Sequence, residues 1–329
     1  MNRYVTQENE QRTAKYRKDR QREQAIRDMN AALAPLEIYE PSSIDRPSLF
    51  IFGLPRSGTT LAYQLFAHCL DIGYVNNLIA RFWLAPLAGI ALSREVLGTR
   101  AEATFESDYG KTRGPQGPHE FAYFWQHWLG IEDVEDLIRF NQPAPHVDWG
   151  KLGRVVRSMQ DGFDSGIVFK TMYAANHVRE FAATFPMPLF IHVDRDPTAV
   201  ALSILSARKS YYGTPDTWWA TYPPDYSALR NLGFAEQIAG QVAGLRLAYE
   251  EAMALLDPEV VVRLSYRDLC AAPELALQKV RTRLRSLYGY DQAFAGRAPP
   301  SFEPRERVAG TAADEQALAA ALAARGLRG

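Results

Sequence analysis

The sequence of 329 residues contains little cysteine, little lysine and no long hydrophobic segment. Only Cys69 and Cys270 are present, which excludes a disulfide scaffold and favours buried thiols in a reducing compartment over a single disulfide. No run approaches the roughly 18 apolar residues of a membrane span, and the polar N-terminus lacks the apolar core of a secretory signal. We therefore expect a cytoplasmic protein without a membrane span.

The chain also has no excess of charge of either sign. Its 37 basic and 38 acidic residues give a net charge of −1, so no global positive field indicates nucleic acid or an anionic membrane as partner. Hydrophobic residues make up 47% and charged residues 23%, which is typical of a globular protein and excludes wholesale disorder. Few of the basic residues are lysines, so a lysine at the end of a predicted strand is a candidate for function.

Short, continuous apolar runs predict the core of the fold. Four of them are interpreted as buried strands, at 48–55, 166–170, 188–193 and 259–264. Helical patterns separate them, at 59–70, 82–97, 118–129, 149–163, 175–185, 197–208, 228–256, 267–288 and 313–325. Continuous apolar strands that alternate with helices predict a parallel sheet covered on both faces, which is a three-layer α/β/α fold.

The N-terminal residues 1–45 differ from the rest in composition. They are rich in charge up to about Arg27, and Ile26, Met29, Leu33 and Leu36 then recur at roughly helical spacing. We interpret 1–45 as a helical arm and 46–329 as the α/β domain. The arm would pack on its own domain or on a second copy in a homodimer, and a partly solvated helix fits the pattern equally well.

The segment Gly53-Leu-Pro-Arg-Ser-Gly-Thr-Thr60 follows the first predicted strand and opens a helix. In that context backbone N–H groups and the helix N-terminus point at an anion, so the segment predicts a phosphate-binding loop. Its glycines fit the spacing G-x-x-x-x-G-K-[ST], but Thr59 stands where a nucleotide kinase carries lysine. Arg56 offers a planar cation for oxyanions instead.

A second motif follows the third apolar run. Asp196-Pro197 is a good helix start, with Asp as N-cap and Pro at the first helical position. Arg195 precedes this start, and Ser203 follows Arg195 by eight positions. Taken alone, Arg195 could equally form a structural ion pair with Asp194 or Asp196.

From about Ser48 to Pro273 the sequence resembles the 3′-phosphoadenylyl-sulfate (PAPS)-dependent sulfotransferases. Pro55-Arg-Ser-Gly-Thr-Thr60 is similar to the family's 5′-phosphosulfate loop, and the pair Arg195 and Ser203 is similar to its 3′-phosphate site. A less specific match, in the segment 262–269, implies that Tyr266 lies near the adenine. A tyrosine at the end of a strand packs in the core just as often. The resemblance implies that the 5′-phosphate and the bridging oxygen are held by Arg56, Ser57, Gly58, Thr59 and Thr60.

Sulfuryl transfer requires stabilisation of charge on the bridging oxygen and removal of the acceptor's proton. The moving group carries less charge than a phosphoryl group, so we expect no dedicated metal. Lys170 ends a predicted strand and is similar to a family lysine at the leaving oxygen; a salt-bridged surface lysine is the alternative. His119 and Glu120 are both candidates for the general base, and both would also suit a helix start. Arg81 is a candidate contact to the sulfonate or the acceptor.

Two aromatic-rich stretches, 121–128 and 211–222, suggest an apolar, phenolic or lipid-like small-molecule acceptor. Two other readings stay open. A P-loop small-molecule kinase would use ATP and Mg²⁺, and the loop's missing lysine counts against it. A non-catalytic member would keep the nucleotide fold as an interaction module.

Overall fold

The computed structural model describes residues 9–98, 104–305 and 310–327. The first eight residues of the predicted arm lie outside these ranges. The described part is built on one sheet with helices on both faces, and the sheet positions the site described below.

The sheet has five parallel strands in the order β2-β3-β1-β4-β5. Four of them were predicted from the sequence, with boundaries that differ by up to two residues. The fifth, β2, is an edge strand of only two residues, too short to leave a periodic signal. The bounds are β1 Ser48–Gly53, β2 Gly73–Tyr74, β3 Ile167–Lys170, β4 Pro188–Asp194 and β5 Val261–Ser265.

Fourteen α-helices lie wholly within the described residues. In chain order they are α1 Arg20–Leu33, α2 Thr59–Cys69, α3 Pro86–Leu97, α4 Ala122–Trp128, α5 Val134–Leu137, α6 Trp149–Phe163, α7 Tyr173–Asn176, α8 Val178–Thr184, α9 Pro197–Tyr212, α10 Tyr226–Leu229, α11 Phe234–Ala254, α12 Tyr266–Ala271, α13 Pro273–Tyr288 and α14 Ala312–Ala324. Short 3₁₀ turns occur at Ala34–Leu36, Ile79–Arg81 and Pro258–Val260.

Alternate side chains of the central strand β1 enter two separate hydrophobic cores. Phe50 and Phe52 pack on one face, against residues of α6, α8, α9, α11 and α14. Leu49 and Ile51 pack on the other face, against α2 and α13. All four side chains are fully buried. Because both faces are covered, the strands are apolar without alternation, and the predicted three-layer α/β/α fold is confirmed.

Several predicted helices are interrupted, each for a local reason. The pattern at 267–288 is split between α12 and α13, because Pro273 lacks the N–H that a continuous helix needs and begins a new helix instead. The pattern at 228–256 is split before Phe234, with Gly233 as the N-cap of α11. The pattern at 118–129 begins only at Ala122, because Phe121 has the left-handed backbone angle φ +56°.

The N-terminal segment packs on the body of the same chain. The Asn30 amide of α1 donates to the carbonyl of Arg81 at 2.6 Å, and its oxygen accepts from the Leu84 N–H at 2.8 Å. Upstream, the Tyr16 ring stacks on that of Tyr211 with centroids 3.8 Å apart. Residues 9–33 therefore form part of the folded molecule. The homodimer through this segment stays a prediction.

Cys69 and Cys270 are both free and buried, as expected from the sequence. In the described ranges, no helix combines the length and the apolar character that crossing a membrane would require.

Candidate anion-binding and transfer site

The segment between β1 and α2 forms a tight loop at the carboxyl end of the central strand. Arg56 and Gly58 both have left-handed backbones, with φ +72° and +104°, and Gly58 is the N-cap of α2. The amides of the first helical turn, from Thr59 onward, have no partner within the helix. Together with the helix dipole they make this loop an anion site.

Gly58 is required by its surroundings as well as by its backbone angle. A Cβ atom at position 58 would lie 2.4 Å from Cδ2 of Tyr266, and no real side chain tolerates that approach. The first residue of α12 thus lies directly against the loop. Tyr266 is half-buried and borders the pocket, and its place beside an adenine stays a prediction.

Ser57, unlike the loop residues on either side of it, does not line the pocket. Its side chain is fully buried, its hydroxyl has no hydrogen-bond partner, and its amide donates to the Leu54 carbonyl at 3.0 Å. In this arrangement Ser57 supports the loop from beneath, whereas Arg56, Gly58, Thr59 and Thr60 line the pocket. The role of Ser57 at the 5′-phosphate stays a prediction.

The second motif meets the first across the ends of β1 and β4. Arg195 donates from Nη1 to the Arg56 carbonyl at 3.0 Å, and Arg56 donates from Nε to Ser203 Oγ at 3.0 Å. Asp196 caps α9 as expected, accepting from the Ala199 N–H at 2.8 Å. Arg195 makes no ion pair with either neighbouring aspartate in the described residues. Its guanidinium lies 4.2 Å from the ring centroid of Tyr266 instead.

Arg305 is a site residue that the sequence did not reveal. Its N–H donates to the Tyr266 hydroxyl at 3.0 Å, and its carbonyl accepts from Arg195 Nη2 at 2.7 Å. It lies in an irregular segment after α13, where neither periodicity nor a motif marks it. A third arginine therefore borders the pocket beside Arg195 and Arg56.

Lys170 supplies the ammonium group that the loop itself lacks. From the end of β3 it donates to Thr60 Oγ1 at 3.0 Å and forms an ion pair with Glu120. The lysine is buried, so it is no surface salt bridge. Burial raises the pKa of Glu120, but the Lys170 ammonium and its hydrogen bond outweigh this and lower it below its usual range. Glu120 is therefore a carboxylate at neutral pH.

A glycine leaves room above this pair. Gly110 has φ +90°, and a Cβ there would lie 3.5 Å from Glu120 Oε1, 3.6 Å from Thr60 Oγ1 and 3.8 Å from Lys170 Nζ. The backbone of the 104–118 segment thus covers the three side chains directly. A larger residue at 110 would add strain and fill the space next to the candidate base.

His119 is positioned differently from Glu120, although both precede α4. Its Nδ1 accepts a hydrogen bond from the Phe121 N–H at 2.9 Å. The residue is exposed to the pocket, and desolvation by the surrounding pocket walls lowers the pKa of His119 to about 4. The neutral ring therefore carries its hydrogen on Nε2, which can donate to a ligand but cannot accept its proton.

These groups border one large pocket of about 1800 Å³. That exceeds the 300–1,000 Å³ or so that suffices for a single ligand, so there is room for two substrates. Arg81 is exposed and borders the pocket, and its contact with the sulfonate or the acceptor stays a prediction. Much of the remaining wall is aromatic, including Tyr109, Tyr211 and Trp219. In the described ranges no three His, Cys, Asp or Glu side chains are grouped so as to hold a metal ion.

The architecture and the loop define an α/β protein with a P-loop-like anion site at the strand ends. The chain belongs to the sulfotransferase family, because the family model described as "Sulfotransferase family" matches residues 47–286.

Two curated relatives carry the same name, omega-hydroxy-beta-dihydromenaquinone-9 sulfotransferase Stf3, and come from Mycobacterium bovis and Mycobacterium tuberculosis. Each is 22% identical over 261 residues, which is 72% of this chain and 62% of theirs. The chain thus spans less than two thirds of their length.

Solved sulfotransferases are also similar to this chain. STF1 from Mycobacterium tuberculosis is 17% identical, with a TM-score of 0.45 over 74% of this chain and 68% of its own. STF9 from Mycobacterium avium is 13% identical, with a TM-score of 0.47 over 90% of this chain and 71% of its own.

Proposed function

We propose that the protein transfers a sulfuryl group from PAPS to a hydroxyl or amine of a small-molecule acceptor with an apolar or aromatic part. The observation that supports this most directly is the convergence of Arg56, Arg195 and Lys170 on one edge of the sheet. These cations come from three different elements, and although Glu120 pairs with Lys170, their combined positive field favours an anionic ligand.

The residues fit a nucleotide with phosphates at two ends. The loop backbone, Thr59 and Thr60 form an anion cradle that contains no carboxylate, and a Cβ at Gly58 would close it. Arg195 and Ser203 would hold the 3′-phosphate, with Arg56 between the two phosphates. Tyr266 would lie beside the adenine. PAPS supplies a sulfuryl group on a good leaving phosphate.

Two side chains would carry out the proton and charge chemistry. Lys170, held by Thr60, would stabilise the negative charge that develops on the bridging oxygen. Glu120, kept ionised by Lys170, would accept the acceptor's proton. We favour Glu120 over His119 as the base, because the free nitrogen of the imidazole already carries a hydrogen.

The aromatic wall supports an acceptor with a flat or lipid-like body. The rings of Tyr109, Tyr211 and Trp219 lie with centroids 5.7 to 6.5 Å apart. The name of the Stf3 relatives gives a hydroxylated menaquinone as their acceptor, and an alcohol on an apolar body would also suit this protein.

The choice between PAPS and ATP can be tested by calorimetry on the purified protein. We expect adenosine 3′,5′-bisphosphate (PAP), the product of PAPS, to bind without added metal and ATP·Mg²⁺ to bind much more weakly. Tight, Mg²⁺-dependent ATP binding would instead support the kinase reading. If neither nucleotide binds, the result would support the hypothesis of a non-catalytic interaction module.

Arg195→Met should remove the preference for a nucleotide with a 3′-phosphate. A charge-assisted contact of this kind contributes about 1.5–3 kcal/mol, so PAP affinity should fall by about 10- to 100-fold. Affinity for adenosine 5′-monophosphate, which lacks the 3′-phosphate, should change little. The difference between the two titrations measures the contact of Arg195 with the 3′-phosphate. An equal loss of affinity for both nucleotides would contradict the assignment of Arg195 to that phosphate.

A further inference from the structure

Lys111 lies in the pocket beside the proposed transfer groups and has no part in the mechanism above. It follows Gly110, whose backbone covers Glu120, Thr60 and Lys170, and a turn with mutual backbone hydrogen bonds to Asp108 fixes it there. Adjacent Cα atoms are 3.8 Å apart, and a lysine side chain adds about 6 Å. Because the Gly110 Cα itself lies about 5 Å from these groups, the Lys111 ammonium lies within roughly 15 Å of them.

The Lys111 ammonium lies beside two aromatic rings that belong to different parts of the chain. Nζ is 5.3 Å from the ring centroid of Tyr16, in the N-terminal segment, and 5.2 Å from that of Tyr211, at the end of α9. These rings are stacked with centroids 3.8 Å apart, so an ammonium at equal distance from both lies at their edges. Lys111 is exposed and borders the pocket.

No carboxylate neutralises Lys111 in the part of the chain that the structure describes, and its Nζ donates no hydrogen bond there. The nearby Asp108 is engaged by Lys15 at 2.8 Å and by the Tyr16 hydroxyl at 3.1 Å. Glu23 is engaged by the Tyr123 hydroxyl at 2.6 Å and by Lys18. Asp108 and Glu23 are therefore already paired with other groups.

Other cations add to the positive potential at this place. Burial lowers the pKa of Lys111 to about 8, and the charges of Arg12 and Lys18 contribute to the shift, while Asp108 opposes it. Arg12 and Lys18 both border the same pocket. A concave surface with excess positive charge concentrates anions.

From this arrangement, and resting on the proposed function, we infer that the acceptor carries an anionic group, such as a carboxylate, sulfate or phosphate monoester, that binds to Lys111 in the field of Arg12 and Lys18. The acceptor would lie with its hydroxyl or amine at Glu120 and its body in the pocket between Glu120 and Lys111. Its anion would then be up to roughly 15 Å from the nucleophile.

The test is a calorimetric titration of phenyl phosphate into the protein saturated with PAP. Bound PAP occupies the nucleotide's phosphate sites, so any phenyl phosphate that binds does so elsewhere. We expect binding to the wild-type protein, a loss of tenfold or more in Lys111→Gln, and retention in Lys111→Arg, which keeps the charge. Benzyl alcohol, with no anion, should not distinguish these proteins.

Lys151→Gln provides the matched control, because Lys151 also lies over an aromatic ring, that of Trp128, but outside the pocket. It should bind phenyl phosphate as the wild type does. Equal binding to Lys111→Gln and the wild type, or no binding to the wild type, would overturn the inference. If PAP itself does not bind, the proposed donor is wrong, and the same titration without PAP still decides whether Lys111 holds an anion.

Discussion

Glu120→Gln is expected to lower kcat by about 10²- to 10⁴-fold, the usual contribution of a general base. Glutamine keeps the size of the side chain but cannot take up a proton at neutral pH. PAP affinity, measured by calorimetry, should change little, because the loop and Arg195 remain. Steady-state transfer of labelled sulfate from PAPS to a reactive acceptor measures the effect.

His119→Asn distinguishes the two candidate bases. Asparagine can still accept the hydrogen bond from the Phe121 N–H that His119 Nδ1 accepts at 2.9 Å, so the backbone before α4 keeps its support. We expect a much smaller loss of kcat than in Glu120→Gln. The reverse order of the two losses would make His119 the base.

Lys170→Met is expected to reduce kcat by about 10²- to 10³-fold, the typical cost of removing one group that stabilises transition-state charge. The variant should also change the pH profile. As the proposed base, Glu120 would act as a carboxylate, and the Lys170 ammonium lowers its pKa against the effect of burial. Without that ammonium the pKa of Glu120 rises, so the residual activity should be lost at a higher pH as the solution is acidified.

Lys209→Met is the matched control for this variant. Lys209 is also partly buried and ion-paired, with Asp314 at 2.8 Å, but it joins α9 to α14 away from the loop. Its loss should affect thermal stability more than kcat. A kcat for Lys170→Met close to that of the wild type would remove Lys170 from the transfer step.

The sequence predicted the parts of the site that depend on local geometry. The loop could be predicted because a strand, two glycines and a helix start occur in one short stretch. Asp196-Pro197 predicted the start of α9, whereas the role of Arg195 was implied only by the family resemblance and stays a prediction. Buried strands gave continuous apolar runs, so the sheet could be predicted except for β2.

Parts of the site that depend on tertiary contacts could not be predicted in the same way. Thr59 indicated that a loop lysine is missing, but only the fold shows that Lys170 reaches Thr60 from β3. Arg305 has no local signal, because an irregular segment brings it to Tyr266. The hydrogen bond from Phe121 to His119, which separates the roles of His119 and Glu120, depends on a left-handed backbone that a phenylalanine rarely adopts.

The course of the N-terminal segment has a consequence for the evolution of selectivity. Residues between Arg12 and Ile26 form one wall of the pocket, yet they belong to no strand of the sheet and to no part of the nucleotide loop. Substitutions in this single stretch would change the acceptor specificity of the pocket. The proposed nucleotide-binding residues would stay the same. Divergence of substrate range would then be concentrated at the beginning of the chain.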